Sequence, residues 1–164
     1  MMDNAHTGLR SAAVFALCGL FAVLAVGLAV LAGGVYQAAA RESDENYTRR
    51  TALSYLVNQV RRADAGGGVA VGSFGGSDAL VLTEEVEGTE YVTLLYCYEG
   101  QLRELYAEAG SGLGPGDGLP VLELDGLELE VSGGRIACTV LPAGGEPGSV
   151  SVFPRCGVEE VGAL

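Results

Sequence analysis

An apolar run from Ala12 to Tyr36 gives way to a segment in which apolar residues return every third or fourth position. After Val69 come short stretches rich in Val, Leu, Tyr and Thr, bounded by Gly, Asp and Pro. These patterns predict a membrane-length helix, an amphipathic helix and a set of β-strands, in that order. No charged side chain lies between Arg10 and Arg41, and the uncharged stretch exceeds the ~20 residues needed to span a bilayer core. Tyr36 and Gln37 fall where an interfacial stop is expected. A cleavable leader ending at Ala38-Ala39-Ala40 is the rival reading. Against it, the apolar run is about twice a usual leader core and only Arg10 supplies a fixed positive charge ahead of it.

Between Arg41 and Ala63, Leu53, Leu56, Val57 and Val60 recur on one helical face, while Arg49, Arg50, Asn58, Arg61 and Arg62 lie around the rest of the wheel. No Gly or Pro interrupts the chain between Gly34 and Gly66, so one helix is expected to run through both segments until Gly66-Gly67-Gly68 stops it. Strands are predicted near 69–74, 78–84, 90–98, 101–107, 127–132, 135–141 and 149–153. Glu99-Gly100 sets a hairpin pairing Tyr98 with Gln101 and Tyr96 with Arg103. Gly133-Gly134 sets another, with Val131 opposite Ile136 and Leu129 opposite Cys138. In the second hairpin Leu127, Leu129, Val131, Ile136, Cys138 and Val140 share a face that needs a cover, and the amphipathic helix is the element available to provide it.

The fold class expected is therefore α+β: one long N-terminal helix, half transmembrane and half amphipathic, packed on an antiparallel β-sheet. The divisions are an N-terminal tail (1–11), a transmembrane helix (12–36), an amphipathic extension (37–64), an antiparallel β-domain (69–154) and a C-terminal tail (155–164). The glycine-rich stretch 110–120 reads as a loop of low complexity.

Charge narrows the partners. The net charge of −12 falls after Ala40, because Asp3 and Arg10 cancel, and the nine basic residues are all Arg, scattered among 21 acids. Such a surface repels phosphates and speaks against nucleic acid. The absence of Lys removes Schiff-base chemistry and a P-loop lysine.

Candidate chemistry is sparse. Cys18 lies in the apolar run; Cys97, Cys138 and Cys156 are widely spaced, which excludes a credible zinc set and leaves one disulfide open. Cys138 is expected in the core, with a bridge as its other reading. The one histidine, His6, lies across the apolar run from the β-region, so no triad is expected. Glu84, Glu85, Glu87 and Glu90 surround a turn at Gly88 and read as solvated hairpin charge. Asp117 and Asp125 lack the alternating oxygens of a calcium loop. Asn46-Tyr47-Thr48 fits a glycosylation sequon only in a eukaryotic secretory pathway. Tyr91, Tyr96, Tyr98 and Tyr106 read as strand packing or a contact surface. Ala25, Ala29 and Gly33 form a small-residue stripe compatible with helix pairing. No catalytic, cofactor-binding or metal-ligating residues are assigned, and no enzyme is expected.

An apolar helix continuing into an amphipathic half that lies on an antiparallel sheet resembles the type IV pilins and the pseudopilins of type II secretion. The stretch Asp44-Glu-Asn-Tyr-Thr-Arg-Arg-Thr-Ala-Leu-Ser-Tyr-Leu56, followed by Gln59-Val-Arg-Arg-Ala-Asp64, is closer still to a bacterial family of unknown function with this layout. That similarity continues through Leu80-Val-Leu, Glu90-Tyr, Leu95-Tyr96 and Gly126-Leu-Glu-Leu. It carries no known activity. The chain departs from pilins at the processing site, since Gly8 is followed by Leu9 and Arg10, and Ala13 stands where pilins carry Glu.

The resemblance implies a single-pass membrane protein, its lipid contact through residues 12–36 and its β-domain outside the cytoplasm. The basic residues Arg41, Arg49 and Arg50 taken alone favour the opposite orientation. The function expected is a non-enzymatic, pseudopilin-like structural or accessory subunit of a bacterial envelope assembly, with helix or protein partners. The alternative is a stand-alone membrane-anchored binding or sensor module using the Tyr-bearing hairpin.

Overall fold

The computed structural model describes residues 3–64 and 67–164, with side-chain surroundings for 13–36, 46–64 and 67–164. Among the described residues the architecture is α+β: helix α1 (Asp3–Ala63) precedes nine strands. The tail expected over 1–11 is helical from Asp3; no proline interrupts residues 3–12, and the apolar run beyond supplies the costly helix nucleus. Met1 and Met2, the side chains of His6 and Arg41, and the Gly66 part of the predicted stop lie outside the described residues.

The chain divides into two units, 1–42 and 43–164. In the first, Ala13–Tyr36 is a 24-residue apolar helical stretch, none of it buried. At 1.5 Å per residue it spans about 36 Å, against a bilayer core of about 30 Å. It is long and apolar enough to cross a membrane, and a leader sequence near an N-terminus meets the same criteria.

The second unit holds the C-terminal part of α1 and two sheets. Strands β1 (Gly68–Phe74), β2 (Ser77–Val86), β3 (Thr89–Tyr98), β4 (Gln101–Glu108) and β5 (Leu119–Glu123) form an antiparallel meander. With β9 (Glu159–Ala163) at the far edge they make a six-stranded sheet of order β5-β4-β3-β2-β1-β9. Strands β6 (Gly126–Ser132), β7 (Arg135–Leu141) and β8 (Gly148–Val152) make a separate antiparallel sheet of three. Both predicted hairpin registers are present: Tyr98 faces Gln101 and Tyr96 faces Arg103 in one, and Val131 faces Ile136 and Leu129 faces Cys138 in the other. Their turns place both central residues at positive φ, 51° and 72° at Glu99-Gly100, 58° and 76° at Gly133-Gly134, which matches the twist of the flanking strands.

Three expectations change. There are two sheets rather than one. The break falls at Leu124-Asp125, where the Leu124 N–H donates to Gly100 O on one sheet and the Asp125 N–H to Leu141 O on the other. The C-terminal tail expected over 155–164 contains β9, which pairs parallel to β1 with Ala70 opposite Glu159 and Val71 opposite Glu160. Its run Glu-Glu-Val-Gly-Ala has no alternation to announce a strand, because only Val161 packs inward; pairing with a distant edge makes it extended. Strand β5 is not among the predicted strands and takes up the end of the loop expected over 110–120; it carries Pro120, which its edge position tolerates.

The main core lies between α1 and both sheets. Ala52, Leu56 and Val60 are completely buried against Val69, Val71, Leu80, Leu95 and Leu102 of the large sheet and Leu127, Ile136, Cys138 and Val140 of the small one. The buried stripe is rotated from the predicted one: Ala52 and Gln59 join Leu56 and Val60 at its centre, while Leu53 and Val57 are half-buried. Where the chain leaves α1, a Cβ on Gly67 would collide with the carbonyl oxygen of Thr83 in β2, so only glycine fits there.

A second core occupies the other face of the large sheet, with Phe74, Val81, Leu94, Tyr96 and Leu105. Phe74 and Tyr96 meet edge to face at 4.9 Å.

Candidate functional site

The polar features of the β-unit fall into three places. The first is a seam where α1 meets β4. Gln59, 7 % exposed, is the buried polar residue among the described side chains of the helix. Its Nε2 donates to Tyr55 Oη (3.0 Å) and to Glu104 Oε1 (3.3 Å); Tyr55 Oη donates to Glu104 Oε2 (2.5 Å), and Arg62 Nη1 donates to Gln59 Oε1 (3.2 Å). This closed set satisfies the groups that packing takes out of water. Burial, and then the neighbouring Glu104 carboxylate, raise the Tyr55 phenol above its ordinary value.

Beside that seam opens a groove of about 480 Å³, lined by Gln59, Arg62, Thr83, Glu84, Glu104 and Tyr106. Tyr106 is 52 % exposed and stacks on Tyr91, ring centroids 5.4 Å apart and planes 8° from parallel. The neighbouring Glu84 side chain is the main cause that raises the Tyr106 phenol. The groove has donors, acceptors and an aromatic face, but the shifts of Tyr55 and Tyr106 disfavour their ionised, nucleophilic forms.

The second place is the glycine-rich stretch, which is irregular as expected as far as Gly118, where β5 takes over, and is firmly fastened. Tyr96 Oη donates to Pro115 O at 2.8 Å; Arg103 Nη1 donates to Gly116 O (3.1 Å) and Gly118 O (3.3 Å). The Gly114 N–H donates to Asp117 Oδ2 at 2.7 Å. The Arg103 guanidinium lies 5.4 Å from the Tyr98 ring centroid, within cation–π range. Gly118 is buried, and a Cβ there would strike Tyr96 Oη, so the close approach requires glycine. The loop is therefore a cover for the second core. Sequence reading missed this, since the contacts join Pro115 to Tyr96 and Gly118 to Arg103 and leave no local pattern.

The third place is the chain end. The Cys156 N–H donates to Asp64 Oδ1 at 2.8 Å, tying the segment before β9 to the end of α1. That bond is the main cause that holds the Asp64 carboxyl below its ordinary range. A groove of about 520 Å³ lies alongside, between Val57, Val60 and Arg61 of α1 and residues Val150 to Arg155.

The four tyrosines do not form one surface. Tyr96 is wholly buried and Tyr98 half-buried on the loop-covered side, whereas Tyr91 and Tyr106 stack beside the polar groove on the helix side. Glu84, Glu85, Glu87 and Glu90 are exposed around the β2–β3 turn, with Glu85 opposite Glu90. Asp117 serves its own turn, and Asp125 is exposed. Among the described residues, no three His, Cys, Asp or Glu side chains are placed to hold a metal ion.

All four cysteines are free. Cys138 sits in the core, as its alternating position predicted, and burial pushes Cys97 and Cys138 each up to about 11, leaving almost no reactive thiolate near neutrality.

A family model described as "Domain of unknown function (DUF4860)" matches residues 47–141, from the amphipathic part of α1 to the end of β7. No curated protein matches the chain, and no solved structure does.

Proposed function

The chain belongs to the DUF4860 family of unknown function, and from that premise we propose that it is a membrane-anchored, non-enzymatic structural or accessory subunit of a bacterial envelope assembly, pseudopilin-like in layout. The observation that carries this reading is the division of labour along one helix. Ala13–Tyr36 is apolar and unburied, while Ala52, Leu56 and Val60 of the same helix are buried against the two sheets. The first stretch suits lipid and the second fixes a β-domain to the anchor. On this reading the β-domain lies outside the cytoplasm and works through its surfaces.

The polar groups support a structural role. The seam of Tyr55, Gln59 and Glu104 is closed on itself, and Arg103 spends both terminal nitrogens on Gln101 and the glycine-rich loop, while its buried Nε has no partner. Were the chain instead a stand-alone binding module, its contact residue would be the half-exposed Tyr106 beside the 480 Å³ groove rather than Tyr96 or Tyr98. Alkaline carbonate extraction of native membranes tests the anchor. Retention of the full chain in the membrane pellet is expected, and release into the supernatant would overturn the reading.

A further inference from the structure

Charge is unevenly divided along the chain. From Asn46 to Ala63, helix α1 carries four of the nine arginines and no acid, whereas beyond Ala63 three arginines stand among seventeen acids. Two surfaces result. On α1, Tyr47, Arg50, Ser54, Asn58 and Arg61 recur at every third or fourth residue and form one exposed face. A shallow groove of about 750 Å³ runs along it from Tyr47 to Asn58, and Arg50 and Arg61 stand on nearly the same side, about 17 Å apart along the axis. The other surface is the tip of the β2–β3 hairpin. Strand β1 stops pairing with β2 at Gly68 opposite Thr83, and β4 stops pairing with β3 at Glu108 opposite Tyr91, so residues 84–90 project past both neighbours as a finger. The finger carries exposed Glu84, Glu85, Glu87 and Glu90 and no basic residue, with Val86 44 % exposed. Glu85 lies directly opposite Glu90, a like-charge pair that destabilises the hairpin until a cation sits beside it. Among the described residues, no ion pair reaches the finger or the helix face.

We propose that the acidic finger of one copy docks along the basic helix face of a second copy. The base of the finger, with Glu84 and Glu90, meets Arg61, and its tip, with Glu87 and Val86, meets Arg50 and the 72 % exposed ring of Tyr47. The lengths agree: Glu84 to Gly88 extends about 13 Å, and the long Glu and Arg side chains cover the rest of the 17 Å. The occupant is a second copy because this chain carries both halves of the match on separate surfaces. Gly67 touches Thr83, which puts the base of the finger level with the C-terminal end of α1, so two copies standing side by side in one orientation present the two surfaces to each other. The net charge of −12 repels at long range, but at physiological ionic strength it is screened beyond about 8 Å, and the local match decides. Such a contact is heterologous and repeats as a row or a ring. This deepens the assembly reading and rests on it, by naming the first partner as the chain itself.

The test uses the full chain in detergent micelles, with sedimentation as the readout. The wild type should associate with rising concentration, and added salt should weaken the association. R50E/R61E makes the helix face acidic, and E85R/E90R makes the finger basic while leaving its cross-strand pair like-charged; each alone should associate about tenfold more weakly or worse. Each variant carries the complement of the other, so an equimolar mixture should associate again. A monomeric wild type, a variant that associates as the wild type does, or a mixture no better than its parts overturns the proposal. If that result comes with crosslinks to other proteins in native membranes, the assembly reading survives while the self-docking does not. Should either variant fail to fold by circular dichroism, R50K/R61K decides, since the chain has no other Lys. Carbodiimide coupling must then join an amine introduced by R50K or R61K to Glu84, Glu85, Glu87 or Glu90 of an isotopically distinct copy, and absence of that amide overturns the docking.

Discussion

The hydroxyl of Tyr96 donates to the carbonyl oxygen of Pro115 at 2.8 Å, fastening a glycine-rich loop over the second core of the β-domain. Tyr96→Phe should cost about 1 kcal/mol, the usual net worth of one such bond, and should speed amide exchange across residues 114–118. Gly118→Ala should be worse, by about 1–3 kcal/mol, because the added methyl runs into that same hydroxyl. Denaturant midpoints of the two variants give the comparison. Equal and negligible effects would mean that the loop is not held this way.

Leu56 is completely buried where α1 meets both sheets. Leu56→Ala should destabilise the domain by about 2–5 kcal/mol, measured by thermal or denaturant unfolding. Leu53→Ala, at a half-buried position, should cost clearly less. Arg50→Ala, fully on the outside, should stay within about 0.5 kcal/mol of the wild type.

Those variants also mark how far the sequence could be read. Leu56 and Val60 were legible because a helix with one buried face repeats its apolar residues every three or four positions, and the Glu99-Gly100 and Gly133-Gly134 turns fixed two registers because turn chemistry is local. Ala52 and Gln59 escaped because burial of a small or polar residue leaves no hydrophobic signal; Gln59 is inside because Tyr55 and Glu104 satisfy it. Strand β9 escaped because its extended form comes from pairing with β1, some ninety residues earlier. The fastening of Pro115 to Tyr96, and the exit of Gly67 past Thr83, are tertiary contacts with no periodic trace.

The bond from the Cys156 N–H to Asp64 gives the chain end a pH dependence. The Asp64 carboxyl is held below its ordinary value, so the native state favours its ionised form. The contribution is therefore present above the unfolded value near ~3.9 and is lost as pH falls through the lower native one. Amide exchange at Cys156 should accelerate as the pH drops below about 4. Asp64→Asn should remove that acceleration. An unchanged pH profile in Asp64→Asn would show that another group governs it.

Thiol labelling separates the cysteines by environment. Cys156 is exposed, whereas Cys97 and Cys138 are buried and each pushed up to about 11. A water-soluble alkylating reagent at neutral pH should modify Cys156 in the native protein and reach Cys97 and Cys138 only after unfolding. Native labelling of Cys138 at the rate of Cys156 would contradict the packing of α1 over the small sheet.

The central claim is that an anchored chain acts through protein contacts in its membrane, and the intact mass of the protein recovered from crosslinked native membranes tests it most directly. The account predicts a chain that retains Ala13–Tyr36 and carries a covalent protein adduct, either a second copy or another envelope protein. A free chain of unmodified mass beginning at Arg41 would contradict it, since the apolar segment would then be a removed leader and the β-domain a solitary secreted protein.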